Sequence, residues 1–282
     1  MSISRIELND QTSIPQFGLG VWQVPQADTE RVVSDALEIG YRHIDTAQMY
    51  GNEAGVGAAI ARSGLAREDL YVTTKLNNNR HEAAAAKDSL RASLDQLGLE
   101  RVDLFLIHWP LPTRYDGDFV STWETLLELR EAGLTTSVGV SNFQPAHLDR
   151  IVAATGVVPA VNQIEAHPYF ANDAARAATL GHGAHVEAWS PLGQGGGELT
   201  DPAVTALAER HGKTPAQVLL RWALDRGDIV FPKSLSKTRL AENFDVFDFA
   251  LDADEVASLT ALDKGAAGRQ GPDPDTFDWI PA

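Results

Sequence analysis

Asp103-Leu-Phe-Leu-Ile-His108 is a short apolar run that closes on an ionisable side chain, and its spacing to similar runs decides the fold. Leu70-Tyr-Val-Thr-Thr-Lys75 has the same form, β-branched and aromatic residues ending on a cation, and Thr136–Ser141 is the next such run downstream. Lys75, His108 and Ser141 follow one another at a spacing of 33 residues, the length of one strand-and-helix unit. Upstream, Gly40-Tyr-Arg-His-Ile-Asp-Thr-Ala-Gln-Met-Tyr-Gly-Asn-Glu53 ends a strand-like run on Asp45 and places Tyr50 five residues further on. The full set of expected strands is Gln16–Trp22, Arg42–Asp45, Leu70–Lys75, Asp103–His108, Thr136–Ser141, Ala160–Gln163, His185–Trp189 and Asp228–Lys233. Between them lie amphipathic stretches at Glu30–Ile39, Glu82–Leu97, Thr122–Glu131, Pro145–Ala154 and Pro215–Asp225, bounded by Gly40, Gly98, Gly133 and the Thr214-Pro215 pair.

Eight consecutive strand-and-helix units predict an α/β fold, a single (β/α)8 TIM barrel covering residues 1–282 as one domain. In such a barrel the C-terminal ends of the strands form one rim, so Asp45, Lys75 and His108 arrive on the same side from three successive strands. An open doubly wound sheet is the structural competitor. It usually carries Gly-x-Gly-x-x-Gly after its first strand, and neither Gly18-Leu-Gly-Val-Trp22 nor Gly193-Gln-Gly-Gly-Gly-Glu198 has that form. Ile6–Pro15 reads as two short strands about a turn at Asn9-Asp10, a hairpin that would cap the closed bottom of the barrel.

Composition narrows the partners. A formal charge of −16 repels nucleic-acid phosphates and acidic membrane surfaces, so neither is an expected partner. Hydrophobic content of 44% is that of a globular chain, and no run approaches the roughly eighteen apolar residues of a membrane span. The opening Met1-Ser-Ile-Ser-Arg-Ile-Glu-Leu-Asn-Asp10 lacks the apolar core of a signal peptide, and there is no cysteine; a cytoplasmic location is the expectation. One basic cluster stands out, Phe231-Pro-Lys-Ser-Leu-Ser-Lys-Thr-Arg239, which by itself reads as a solvated helix start or as a local anion site.

Tyr50, Lys75, Asp45 and His108 form a chemically coherent set. An adjacent Lys75 ammonium is expected to lower the tyrosine pKa from its ordinary value near 10 by stabilising phenolate, while Asp45 holds the lysine proton and His108 donates a hydrogen bond to a substrate carbonyl. That arrangement suits a reaction in which a carbonyl oxygen becomes an alkoxide and takes a proton from Tyr50. Hydride is the missing reactant. No side chain delivers it, so a nicotinamide cofactor is implied.

These residues resemble the aldo-keto reductase family. Gly40–Gly57, Leu70–Lys75, Asp103–Pro110, Gly139–Phe143, Asn162–Pro168, Trp189–Leu192 and Phe231–Asn243 fall in family order. Val157-Val-Pro-Ala-Val-Asn-Gln163, Pro191-Leu-Gly-Gln-Gly195 and Lys213-Thr-Pro-Ala-Gln217 are similar to the bacterial branch that includes 2,5-diketo-D-gluconate reductases. The resemblance implies a catalytic tetrad of Asp45, Tyr50, Lys75 and His108, with Tyr50 as general acid in reduction and general base in oxidation. It implies NADPH/NADP+ as cofactor, with Ser141, Asn142 and Gln163 on the nicotinamide carboxamide, Trp189 stacked on its ring and Leu192 nearby. Lys233, Ser234, Arg239, Glu242 and Asn243 would take the adenosine 2′-phosphate and adenine. A monomer is the default of the family.

The expected substrate is a small carbonyl compound, an aldehyde, α-dicarbonyl or keto-sugar. Trp22, Met49, His108, Trp109 and the tail residues Phe277 and Trp279 are candidates for its pocket; Trp22 and Trp109 are preferred because they adjoin rim positions, and for the tail pair ordinary packing is the preferred reading. Gly193–Gly197 reads equally as a lid over the cofactor pyrophosphate and as a plain loop. Gln11 occupies a turn position where glycine is common in the family, which suggests local strain. Two other functions compete. A metal hydrolase could use His43, Asp45, His108 and His167 as ligands, but His43 falls two residues below the rim, in the packed layers, and no metal is expected. A cofactor-binding sensor without turnover would show a damaged tetrad, and all four positions are intact.

Overall fold

Alternation along the strands determines what fills the barrel. The computed structural model describes residues 3–195 and 197–281, with strands β1 (Arg5–Glu7), β2 (Ser13–Pro15), β3 (Leu19–Gly20), β4 (His43–Asp45), β5 (Tyr71–Leu76), β6 (Val102–Ile107), β7 (Thr135–Ser141), β8 (Val161–Glu165), β9 (His185–Trp189) and β10 (Ile229–Val230). Eight of them, β3 to β10, form one sheet in sequential order, every neighbouring pair parallel. Tyr71, Leu104, Leu106, Val161 and Ile229 belong to one buried cluster with Leu8 and Ile14, whereas their neighbours Val72, Phe105, Ile107 and Val230 pack in the larger cluster with the helices. The period of two thus separates an inner core from an outer one.

The outer layer is built from α1 (Gln26–Ile39), α2 (Glu53–Arg62), α3 (Ala83–Leu97), α4 (Phe119–Glu131), α5 (Pro145–Thr155), α6 (Asp173–Gly181), α7 (Pro202–His211), α8 (Pro215–Asp225), α9 (Lys237–Phe244) and α10 (Ala253–Thr260). α8 starts where Thr214-Pro215 predicts. The Thr214 hydroxyl accepts from Gln217 N while the Gln217 side chain accepts from Thr214 N, a reciprocal cap that satisfies two donors at once. None of the helices is long and apolar enough to cross a membrane among the described residues.

Two expected strands contract. Gln16–Trp22 retains only Leu19–Gly20, and Asp228–Lys233 retains Ile229–Val230, because these segments meet each other at the seam that closes the barrel. The seam is held by Val230 N to Gln16 O at 3.0 Å, Gly18 N to Val230 O at 2.8 Å and Gly20 N to Phe231 O at 3.0 Å. Pro232 then has no N–H to continue it. Gly20 is needed there, since a Cβ would come within 2.6 Å of the Phe231 carbonyl oxygen.

The β1–β2 hairpin seals the opposite end. Asn9 Nδ2 donates to the carbonyls of Pro159 and Gly183, just before β8 and β9, and Thr12 Oγ1 lies 3.0 Å from Ser137 Oγ at the start of β7. Its turn is wider than the expected Asn9-Asp10 pair, running from Leu8 to Thr12, with Gln11 at φ 69°. That left-handed conformation is costly for a residue with a Cβ. Gln11→Gly is expected to stabilise the protein by about 0.5–1 kcal/mol, read as a higher urea midpoint at unchanged slope. A lower midpoint would show that the turn carries no strain.

Candidate active site

Asp45 ends β4, Lys75 lies one residue before the end of β5 and His108 follows β6, all with the inward parity of their strands. Lys75 is fully buried, and its Nζ donates to Asp45 Oδ1 at 2.6 Å, to the Thr46 carbonyl at 2.9 Å and to Tyr50 Oη at 3.4 Å. Tyr50 comes from the helical turn Gln48–Tyr50 beyond β4. Two contacts hold that turn: Ser89 Oγ of α3 donates to Gln48 Oε1, and buried Asn52 bridges Thr46 Oγ1 to the Val21 and Val24 carbonyls. The Tyr50 and His108 rings meet edge to face, with centroids 5.7 Å apart. The four residues of the expected tetrad are therefore brought together.

Burial opposes charge here, and the balance differs at each group. For Lys75, desolvation works against the ammonium, but Asp45, Tyr50 and Glu187 outweigh it and hold its pKa above the ordinary lysine value. Burial pushes the Asp45 carboxyl up, with Lys75 and Gln163 pulling it back. His108 is held well below its usual range by burial and the nearby Lys75 charge, so its imidazole is neutral. Its Nδ1 is buried without a partner among the described residues, which leaves Nε2 as the nitrogen a ligand can meet. Tyr50 corrects the expectation of a lowered pKa. Lys75 does pull it down, but burial is the larger effect and the net direction is up, so the hydroxyl keeps its proton at neutral pH.

A cleft of about 990 Å³ opens over these groups and extends past Ser141, Asn142, Gln163, Trp189 and Leu192 to Lys233, Ser234, Arg239, Glu242 and Asn243, so every expected cofactor residue lines it. Much of its polar lining is already interconnected. Ser141 Oγ donates to the Gln163 carbonyl at 2.8 Å, Asn142 Nδ2 to the His108 carbonyl at 3.0 Å, and Trp189 Nε1 to Asn142 Oδ1 at 2.8 Å. Gln163 Nε2 donates to Asp45 Oδ2 and to Glu187 Oε2, at 2.9 and 3.0 Å, a double role that the sequence did not announce. Lys233 and Arg239 carry no ion pair among the described residues, unlike Lys237, whose Nζ is 3.1 Å from Asp35. On a chain of charge −16, two uncompensated cations in one cleft fit a phosphate-bearing ligand.

The catalytic end has aromatic walls. Trp22 is 44% exposed and Trp279 51%; Met49 and Trp109 join them, and Phe277 packs on Trp109 at 4.3 Å. The tail pair therefore lines the cleft, as its place among the wall candidates allows, although ordinary packing is the preferred reading of it from sequence alone. Asn78 Nδ2 donates to the Trp279 carbonyl and Arg114 Nε to that of Asp278, holding the tail across the rim. Nearer the cofactor side, Glu165 accepts from Gln270 N and Gly271 N, and Gln270 Nε2 donates to the Gly193 carbonyl. The expected Gly193–Gly197 loop forms helical turns at Gly193–Gly195 and Gly197–Thr200, and Gly196 lies outside the described residues. Gln194 and Gly195 line the cleft.

The ligand set of a metal hydrolase is not assembled. His43 is buried in the layer below with Nε2 3.2 Å from Thr73 Oγ1, His167 sits between Glu165 and Glu198, and among the described residues no group of three potential ligands could hold a metal ion.

Comparison with known proteins agrees with this geometry. The model of the aldo/keto reductase family matches residues 15–264. The chain is 51% identical over 275 residues to an aldo-keto reductase of Mycolicibacterium smegmatis, covering 98% of each chain. It is 46% identical over 273 residues to methylglyoxal reductase DkgA of Escherichia coli K12, covering 96% of this chain and 97% of that one. Among solved structures, a variant of Gox0644 in complex with NADPH superposes with a TM-score of 0.93 at 43% identity, covering 99% of this chain and all of the other.

Proposed function

The chain belongs to the aldo/keto reductase family, and from that premise we propose that it reduces an aldehyde or ketone to the alcohol with NADPH, Tyr50 serving as the acid. The observation that carries this reading is the buried Asp45–Lys75–Tyr50 chain opening into a cleft whose far end holds two cations without an ion pair among the described residues. When bound, a nicotinamide cofactor supplies the hydride. The chain's own residues do the rest. His108 Nε2–H donates to the substrate oxygen and fixes the carbonyl beside Tyr50, and the Tyr50 hydroxyl protonates that oxygen as it becomes an alkoxide. Lys75, locked by Asp45, stabilises the phenolate left behind, and in the oxidation direction the same phenolate accepts the alcohol proton.

Cofactor binding would use groups that the free protein holds in waiting. Gln163 Oε1 accepts no hydrogen bond from the described residues and suits a carboxamide N–H, with Ser141 and Asn142 beside it. Trp189 offers an aromatic face and Leu192 an apolar edge. Lys233, Ser234 and Arg239 suit the 2′-phosphate, and Glu242 and Asn243 the adenine. Arg239→Ala is expected to raise the NADPH dissociation constant by about tenfold or more while leaving NADH affinity nearly unchanged. Equal catalytic efficiency with the two cofactors, or no loss of NADPH affinity in the variant, would remove the preference.

For the substrate, the catalytic end of the cleft is aromatic, and among the described residues the cations that line the cleft are Lys233 and Arg239 at the other end, Lys75 being buried below the wall and paired with Asp45. An uncharged carbonyl fits it better than a keto acid. Methylglyoxal, suggested by the activity named for the E. coli relative, belongs to the α-dicarbonyls within that class. The deciding assay follows NADPH oxidation over a panel of aldehydes, α-dicarbonyls, keto-sugars and keto acids. Turnover confined to keto acids would overturn the substrate assignment, and no turnover across the panel would overturn the reductase reading.

A further inference from the structure

Glu187, at the middle of β9, is completely buried beneath the catalytic residues and takes no part in the proton transfer described above. Its register partners are Gln163 on β8 and Ile229 on β10, so it shares the inward face with Gln163. The Gln163 Nε2 group donates one N–H to Glu187 Oε2 at 3.0 Å and the other to Asp45 Oδ2 at 2.9 Å. One amide nitrogen therefore ties together two carboxyl groups. The opposite amide orientation would set Gln163 Oε1 against Asp45 Oδ2, the oxygen not held by Lys75, an unfavourable contact of two acceptors. Glu187 Oε1 is buried with no hydrogen-bond partner among the described residues, a costly state for a carboxylate and a less costly one for a neutral acid.

The charges around it point the same way. Asp45 faces Glu187 from β4, Lys75 and Tyr71 from β5 and Gln163 from β8, while Ile229 of β10 brings no charge. His43, in the layer of Tyr71, stacks edge to face on that ring and is held neutral by burial. Lys75 is thus the one cation among these groups, and it is already committed to Asp45 at 2.6 Å.

We propose that Glu187 is a positioning residue for the reduction, held as the neutral acid so that Gln163 aims Asp45 at Lys75 and the site keeps one carboxylate for one ammonium. The assignment rests on the reading of Tyr50 as the proton donor. Burial and the Asp45 charge push the Glu187 carboxyl up to about 8. Above that pH a second negative charge appears beside Lys75, favouring the ammonium and disfavouring phenolate at Tyr50. In alcohol oxidation, where Tyr50 must accept a proton, this moves the alkaline rise of kcat/KM to higher pH.

The test has two arms. Infrared difference spectra of the native protein between pH 6 and 9 should show a carboxylic acid C=O band that disappears with a midpoint near 8 and is missing in Glu187→Gln. The pH profile of alcohol oxidation should shift downward by about half to one unit in Glu187→Gln, which cannot acquire the charge, and return toward native in Glu187→Asp. Absence of the band at pH 6 in the native protein overturns the proposal without any variant having to fold. Turnover with an unshifted Glu187→Gln profile overturns this assignment alone, whereas absence of turnover by the native protein overturns the carbonyl-reductase reading and this assignment with it.

Discussion

Tyr50→Phe should lower the rate of carbonyl reduction by about two to four orders of magnitude while leaving NADPH binding and stability close to native. The substitution removes one atom, Oη, which lies 3.4 Å from Lys75 Nζ. It keeps the ring that meets His108 edge to face and lies 5.1 Å from the Lys75 ammonium. Lys75 retains its two closer partners, Asp45 at 2.6 Å and the Thr46 carbonyl at 2.9 Å, so no buried charge is left alone. The loss therefore isolates proton transfer. It is measured as kcat/KM for an aldehyde together with the NADPH dissociation constant from fluorescence quenching. A variant within tenfold of native would mean that another group supplies the proton, His108 being the nearest alternative.

Lys75→Met is expected to be as damaging to activity and, unlike Tyr50→Phe, to cost about 3–5 kcal/mol of stability at neutral pH. Methionine fills the space of the lysine stem but leaves Asp45 buried without its counter-ion, supported only by Gln163. With Lys75 gone, burial pushes Asp45 further up, so its folded pKa stands above the unfolded value. A carboxyl shifted in that sense stabilises the fold only while it is protonated. The contribution is full below its unfolded pKa and is lost as pH rises through the folded one. The deficit of Lys75→Met should thus be smaller at pH 5 than at pH 8 when urea midpoints are compared. The double variant Asp45→Asn/Lys75→Met, which removes both members of the ion pair, should regain most of the loss at pH 8. A double variant no more stable than Lys75→Met would show that the cost is one of packing and not of charge.

The barrel was legible because its period is simple. Runs ending on Asp45, Lys75, His108 and Ser141 recur at intervals close to one strand-and-helix unit, and strand parity then delivers their side chains inward. α8 was legible to the residue, since Thr214-Pro215 and Gln217 carry its start on their own. The seam was not, because the contraction of Gln16–Trp22 and Asp228–Lys233 depends on how the first and last strands meet across more than two hundred residues. α2, α6, α7, α9 and α10 were not individually delimited from the sequence, although each carries part of the outer layer.

At the site the pattern reveals which groups assemble but not the medium they sit in. The nearness of Tyr50 and Lys75 follows from strand order; the dominance of burial over the Lys75 charge needs the packed structure. Glu187 shares the inward parity of His185 and Trp189, a signal present in the sequence, yet nothing local says that Gln163 will bind it and Asp45 together. Phe277 and Trp279 are a similar case. Their neighbours in the chain are polar and irregular, and what makes them walls is an attachment to Asn78 and Trp109 from distant loops.

That attachment separates two kinds of inheritance. Asp45 and Lys75 are embedded in barrel strands, where a change such as Lys75→Met threatens folding itself. The tail is tied on from outside, by side chains of Asn78, Arg114 and Glu165 reaching its backbone and by the tilted ring contact of Trp109 with Phe277. Substitutions there are expected to escape the penalty that guards the interior, so the doorway can be refitted to a different carbonyl compound without unsettling the fold. The engine behind it need not be rebuilt each time.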